Sequence, residues 1–235
     1  MKKQKLIWLD TVENPEGQME LIIKYRGSTN EENAAVLLEI RDKNNVLLKE
    51  KGELRQDTAR VKTAVFKCQG VLCWTPEDPA LYQVNIVLEL SDKNNEKTYI
   101  RHGQKLGFRS LKRQNQQVFW NHKPVKLLGI SYREPDFKME NWETVLRRDL
   151  ELFKAAHVNF IRSIYYPFSE KMLELCDEMG FWVENTAPFY ELGQTKKNIS
   201  ELPHMQKEFE TAAEELLVNG SHTSVLLWSL GHDCA

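Results

Sequence analysis

The feature that most constrains this chain is a change of hydrophobic period near residue 117. Before it, short apolar runs are separated by turn-forming clusters; after it, short apolar runs alternate with segments of helical spacing. A spacing of two belongs to strands and one of 3.6 to helices, so the chain must build a β unit first and an alternating unit second. In the first part, Met19 to Tyr25, Ala35 to Ile40, Val46 to Leu48, Val61 to Phe66, Tyr82 to Leu90 and Lys97 to Arg101 read as strands. The clusters Asp42-Lys43-Asn44-Asn45 and Asp92-Lys93-Asn94-Asn95 supply turn chemistry between neighbouring strands. About seven short strands at this spacing predict a β-sandwich of immunoglobulin type over residues 1–112.

From residue 113 to 235 the order is different. Lys126 to Ile130 reads as a strand, Trp142 to Phe153 as a helix with Val145, Leu146, Leu150 and Phe153 on one face, and Asn159 to Ile164 as a strand. Ser169 is placed to cap a helix running to Met179, with Gly180 as its left-handed stop. Phe181 to Glu184, a helix from Met205 to Val218, and Ser224 to Leu230 complete the pattern. Strands alternating with helices imply a parallel sheet. A closed eight-stranded β/α barrel takes ~250 residues, so four strands over this length predict the first four β/α units, a partial (half) TIM (β/α)8 barrel. A complete open α/β sheet is the competing architecture, but Gly129-Ile130-Ser131-Tyr132-Arg133-Glu134 is not a glycine-rich phosphate loop.

Charge narrows the partners. With 32 basic and 34 acidic residues and a formal net charge of −2, the chain has no general pull toward nucleic acid or an anionic membrane surface. No run approaches the ~18 apolar residues of a membrane span. The apolar stretch Leu6 to Leu9 is too short for the core of a signal peptide, which predicts a cytoplasmic protein. Cys68, Cys73, Cys176 and Cys234 form neither a CxxC pair nor a zinc spacing and read as free thiols, and no metal or cofactor is expected.

Several motifs, in order along nearly the whole chain, resemble family 2 glycoside hydrolases, the β-galactosidase, β-glucuronidase and β-mannosidase group. Trp74-Thr75-Pro76-Glu77-Asp78-Pro79-Ala80-Leu81-Tyr82 and Gly107-Phe108-Arg109 resemble that family's sandwich. Asn121 to Gly129, Arg147 to Lys154, Arg162-Ser163 with Tyr166-Pro167, Leu175 to Gly180, and Trp228-Ser229-Leu230-Gly231 resemble its barrel, up to the fourth strand. The resemblance implies a retaining hydrolase of β-linked sugars, with an acid/base Glu after the fourth strand and a nucleophilic Glu near the seventh.

The chain departs from that pattern where the chemistry sits. The family's Asn-Glu pair is replaced by His232-Asp233, and Asp233, one methylene shorter, is a drifted acid/base position or a solvated residue. A displacement of roughly 1 Å can cost ~10²-fold in rate. Asn-Arg-His-Glu after the first strand becomes Ser131-Tyr132-Arg133-Glu134, and Asp-Glu-Ala-Asn after the third becomes Asn185-Thr186-Ala187-Pro188. The candidate site is therefore Asp233 as catalytic group, with Arg162, Glu134, Asn185, His232 and Trp228 as sugar-binding groups. The bland readings are an ion pair for Arg162 and core packing for Trp228. Because the sequence stops two residues after Asp233, the expectation is a fragment, inactive by itself, that self-associates or is complemented through its open half-barrel. The competing expectation is a non-catalytic carbohydrate-binding or interaction module derived from a glycosidase.

Overall fold

The computed structural model describes residues 6–27, 31–58, 61–188, 207, 210–213, 216 and 221–231. By its contacts the chain divides into two units, one comprising residues up to Thr75 together with Ala80–Val125, the other Pro76–Pro79 together with Lys126–Ala235.

The first unit is a sandwich of two antiparallel sheets. One has the order β1 (Leu6–Glu13), β2 (Met19–Arg26), β6 (Val61–Cys68), β5 (Arg55–Thr58); the other has β4 (Asn45–Glu53), β3 (Glu31–Asp42), β7 (Tyr82–Asp92), β8 (Lys97–Leu106). Strand alternation does the sorting. Leu21, Ile23 and Tyr25 of β2 and Val84, Ile86, Leu88 and Leu90 of β7 point inward and are buried, with half-buried neighbours between them. The two Asp-Lys-Asn-Asn turns close differently. Asp42 pairs directly with Asn45 across Lys43, whose φ is 51°. Asp92 instead turns its Oδ1 onto the backbone N–H groups of Asn94 and Glu96, each 2.9 Å away, and the left-handed residue is Asn95.

Trp74 is fully buried, but it packs beside the main core and not within it. Its ring meets Trp120 edge to face at 5.6 Å, and its carbonyl accepts from Trp120 Nε1 and Asn121 Nδ2, each at 2.9 Å. A small antiparallel sheet of β9 (Leu111–Gln114), β10 (Gln117–Trp120) and β11 (Lys123–Pro124) supplies both partners' positions. By contacts it is counted with the sandwich, so this division falls at Val125, later than the change of period in the sequence.

The second unit holds four parallel strands in chain order: β12 (Gly129–Tyr132), β13 (Phe160–Ser163), β14 (Trp182–Thr186) and β15 (Val225–Ser229). The sheet is open: among the described residues β12 pairs only with β13 and β15 only with β14. Helix α1 (Trp142–Ala155) and helix α2 (Glu170–Met179) follow the first two strands. Ser169 caps α2, its hydroxyl accepting from Met172 N at 3.2 Å, and Gly180 stops it with φ 76°. Only parts of the expected Met205–Val218 helix lie within the described residues; Lys207, residues 210–213 and Leu216 are helical there, and Ala212 and Leu216 pack on Ala187.

Candidate functional site

The two faces of the parallel sheet do different jobs. Ile161, Val183 and Val225 are buried against Leu146 and Leu150 of α1 and Met172 and Leu173 of α2. Their strand neighbours project to the opposite face. That open face carries two rows of registered residues. The first is Gly129, Phe160 and Trp182; the second is Ser131, Arg162, Glu184 and Leu227. Gly129 must lack a side chain, because a Cβ there would stand 2.5 Å from Phe160 Cδ1. In the second row Arg162 Nε lies 3.2 Å from Glu184 Oε1, with about a third of the Arg162 side chain (36%) still exposed. Two charged groups thus sit side by side near the C-terminal ends of parallel strands, where α/β sheets place ligands.

Glu134 and Asn185 are used in holding the loops after the strands. The carboxylate of Glu134 accepts from Ser169 N and Ser169 Oγ, both at 2.6 Å, and so clips the loop after β12 to the capping residue of α2. Asn185 is fully buried on the helix-bearing side, its Oδ1 accepting from Phe168 N at 2.8 Å. Thr186 N donates to Ser163 Oγ at 2.8 Å, tying β14 to β13 at the same end. Tyr132, in the last position of β12, donates its hydroxyl to Asp149 Oδ2 of α1 at 2.7 Å; burial and that carboxylate push the phenol's pKa well up.

Trp228 is 42% exposed and registers with Asn185, not with Glu184. A bulge between Val183 and Glu184 skips Leu226, so Leu227 takes the place on the open face and Trp228 falls on the helix-bearing side. The structure thus brings Arg162 together with Glu184, and it sets Glu134, Asn185 and Trp228 elsewhere. His232 and Asp233 lie outside the described residues.

Two functional groupings escaped sequence reasoning. Glu184 is the partner of Arg162; its signal was a lone acid closing the apolar run Phe181-Trp182-Val183. The other is a buried ion pair before β15. His222 Nδ1 lies 2.7 Å from Asp177 Oδ2 of α2, Asp177 Oδ1 accepts from Ser224 N at 2.7 Å, and His222 Nε2 lies 3.3 Å from Glu170. Burial pulls the imidazole's pKa down, but the hydrogen bonds it donates to the Asp177 and Glu170 carboxylates outweigh this and raise it to about 9. This pair sits at the N-terminal end of β15, the stabilising end of such a sheet. Among the described residues no group of three His, Cys, Asp or Glu side chains is spaced to hold a metal. No described helix is long and apolar enough to cross a membrane.

Comparison with known proteins agrees with this fold. The family model for the glycosyl hydrolases family 2 TIM barrel domain matches residues 111–235, and that for glycosyl hydrolases family 2 matches residues 7–109. A β-galactosidase of Staphylococcus xylosus is 27% identical over 196 residues, covering 78% of this chain and 19% of the relative. A β-galactosidase of Lactococcus lactis subsp. lactis is 27% identical over 164 residues, covering 68% and 16%. The crystal structure of Parabacteroides merdae β-glucuronidase superposes with a TM-score of 0.70 at 21% identity over 95% of this chain and 28% of that one. An Eisenbergiella tayi β-galacturonidase bound to galacturonate gives 0.69 at 23% identity over 95% and 39%. At these identities the structural matches establish the fold alone. The chain spans less than a fifth of the length of either β-galactosidase.

Proposed function

The chain belongs to glycosyl hydrolase family 2, and from that premise we propose that it forms part of a retaining hydrolase of β-linked sugars and does not turn over substrate as an isolated polypeptide. The observation that carries the reading is the Arg162–Glu184 pair on the open face of the parallel sheet. A guanidinium beside a carboxylate offers a sugar both charge-assisted donors and acceptors for its hydroxyls. Retaining cleavage needs two carboxyl groups about 5–5.5 Å apart, one giving and taking a proton and one attacking the anomeric carbon. Within strands β12 to β15 the open face presents one carboxylate, Glu184, and that one is held by Arg162. Binding is therefore within reach of this face, and cleavage by these residues alone is not. Asp233 stands, by resemblance, where the family keeps its acid/base, and we assign it that role in the hydrolase of which the chain is part. Among the described residues no strand pairs with the outer edges of β12 and β15, which favours pairing with further parallel strands to complete the barrel.

The same single carboxylate favours a second reading, a sugar-binding module without turnover. Incubation of the purified chain with p-nitrophenyl β-galactoside and β-glucuronide separates the accounts. No release of nitrophenol is expected. Turnover at an enzymatic rate, abolished in Asp233→Ala, would overturn the inactivity of the isolated chain. Titration with galactose and glucuronate, followed by NMR, tests binding; an affinity unchanged in Arg162→Ala removes the open face from the account.

A further inference from the structure

We propose that the place where the β3–β4 turn meets the end of β6 is an interface between two copies of this chain, with Leu72 of each copy seated in a hollow of the other. The loop after β6 makes a fixed knob. Val71 and Cys73 pack against the main core, so the extended backbone turns Leu72 between them the other way, and it is 66% exposed. Its backbone is held on both sides. Leu72 N donates to the Tyr82 hydroxyl at 2.7 Å, and Trp74 N donates to Phe108 O at 2.7 Å beside the Cys73↔Phe108 bridge. A side chain on a backbone already pinned is covered at little further cost in order.

The hole adjoins the knob. Ile40, Leu47 and Leu48 from one sheet, with Cys68 and Val71 from the end of β6 and its loop, enclose a hollow of about 280 Å³ that Leu72 itself does not line. That volume falls just below the roughly 300–1,000 Å³ of small-ligand sites, so the hollow suits a side chain better than a free ligand. Apolar surface continues around it, with Val46 46% and Leu47 41% exposed. Because Val71 lines the hollow and Leu72 follows it directly, one two-fold axis beside this loop lets both knobs enter both holes at once. Such a contact closes at two copies and does not grow into a chain. The rim charges agree with a second copy as the occupant. Lys67, at the hollow, lies 3.8 Å from Glu16, and both side chains are well exposed. Adjacent charges of opposite sign are complementary to their own image across a two-fold axis. Three exposed apolar side chains per copy make a small contact, at the weak end of specific interfaces, with a dissociation constant on the order of 100 µM. The contact lies wholly on the first unit and is separate from the edges of the parallel sheet.

Methyl NMR of the full chain tests the occupant. One copy carries labelled methyls only at leucine and the other only at isoleucine, so a leucine-to-isoleucine NOE arises only between copies. At about 1 mM protein, roughly ten times the expected constant, such an NOE is expected from Leu72 of one copy to Ile40 of the other. Its absence overturns the proposal. Sedimentation velocity over a concentration series gives the dissociation constant. Leu72→Asp and Leu47→Asp are each expected to raise it at least tenfold, whereas Leu72→Met leaves it within about threefold and Leu230→Asp, in the second unit, leaves it unchanged. Leu72 and Leu47 are exposed enough that these replacements should not disturb folding, which circular dichroism checks. Association that survives Leu72→Asp, or that Leu230→Asp alone abolishes, overturns the proposal, since it places the contact on the parallel sheet.

Discussion

The buried His222–Asp177 pair makes the stability of the second unit fall as pH rises. His222 ionises near pH 9 in the folded chain and near 6.5 when unfolded, so the folded state holds the ring's proton more tightly and protonation favours folding. The contribution is fully present below about pH 6.5. It declines by about 1.4 kcal/mol per pH unit above that and is gone beyond the folded value of about 9, a total of about 3 kcal/mol. Lys154 works in the opposite sense. Burial lowers its pKa, so the folded chain releases that proton first and gains stability on the alkaline side. The difference between wild type and His222→Gln cancels Lys154 and isolates the histidine. Urea unfolding at pH 6, 7.5 and 9.5 is the assay, with the His222 ring protons titrated by NMR to read the folded pKa directly. The gap between the two proteins should be largest at pH 6 and shrink by about 3 kcal/mol at pH 9.5. A gap that stays constant across that range, or a ring that titrates near 6.5, would refute the reasoning. Asp177→Asn should be worse than His222→Gln at pH 6, because it keeps an acceptor for Ser224 N but removes the charge that pairs with a buried imidazolium.

Other perturbations test the frame around the site. Gly180→Ala forces a left-handed residue and puts a Cβ 2.1 Å from the Pro76 carbonyl oxygen, so it should cost more than the ~1–2 kcal/mol of the backbone alone, read as a lower urea midpoint. Ser169→Ala removes the α2 cap and one of the two contacts with Glu134 and should cost about 1–2 kcal/mol, whereas Glu134→Gln, which keeps an acceptor, should cost less. Trp120→Phe keeps the ring contact with Trp74 but loses the indole donor, and should destabilise the first unit by about 1 kcal/mol in thermal unfolding.

What was legible in the sequence was local. The Ser169 and Gly180 caps, the alternation of β2 and β7 and the two Asp-led turns follow from a few neighbouring residues, and the structure has them where the sequence put them. Strand β5 was missed because Arg55-Gln56-Asp57-Thr58 is wholly exposed and carries no apolar period to read. Strand β1 was weighed as a leader, although Trp8, Asp10 and Val12 alternate with the buried Leu9 and Thr11. Arg162 was recognised, but its partner was not, since the pairing depends on the register of β13 against β14 and no local pattern encodes register.

Trp228 shows how far a single residue can move a site. An unbroken ladder from Val183↔Val225 would set Leu226 opposite Glu184 and Trp228 opposite Thr186, two places further on, so that Trp228 would share the face of Glu184 and Arg162. A flat aromatic ring would then stand beside a charged pair, the usual make-up of a sugar subsite. The bulge at Leu226 shifts the phase by one, and the open face receives Leu227 in its stead. The sequence cannot announce this, because Val225-Leu226-Leu227-Trp228 is apolar throughout and its period is silent about which residue is extra. The open face thus pairs its charges with an aliphatic neighbour on β15 and with Trp182 and Phe160 one row behind. Stacking surface on that face therefore comes from β13 and β14, the strands that also supply Arg162 and Glu184.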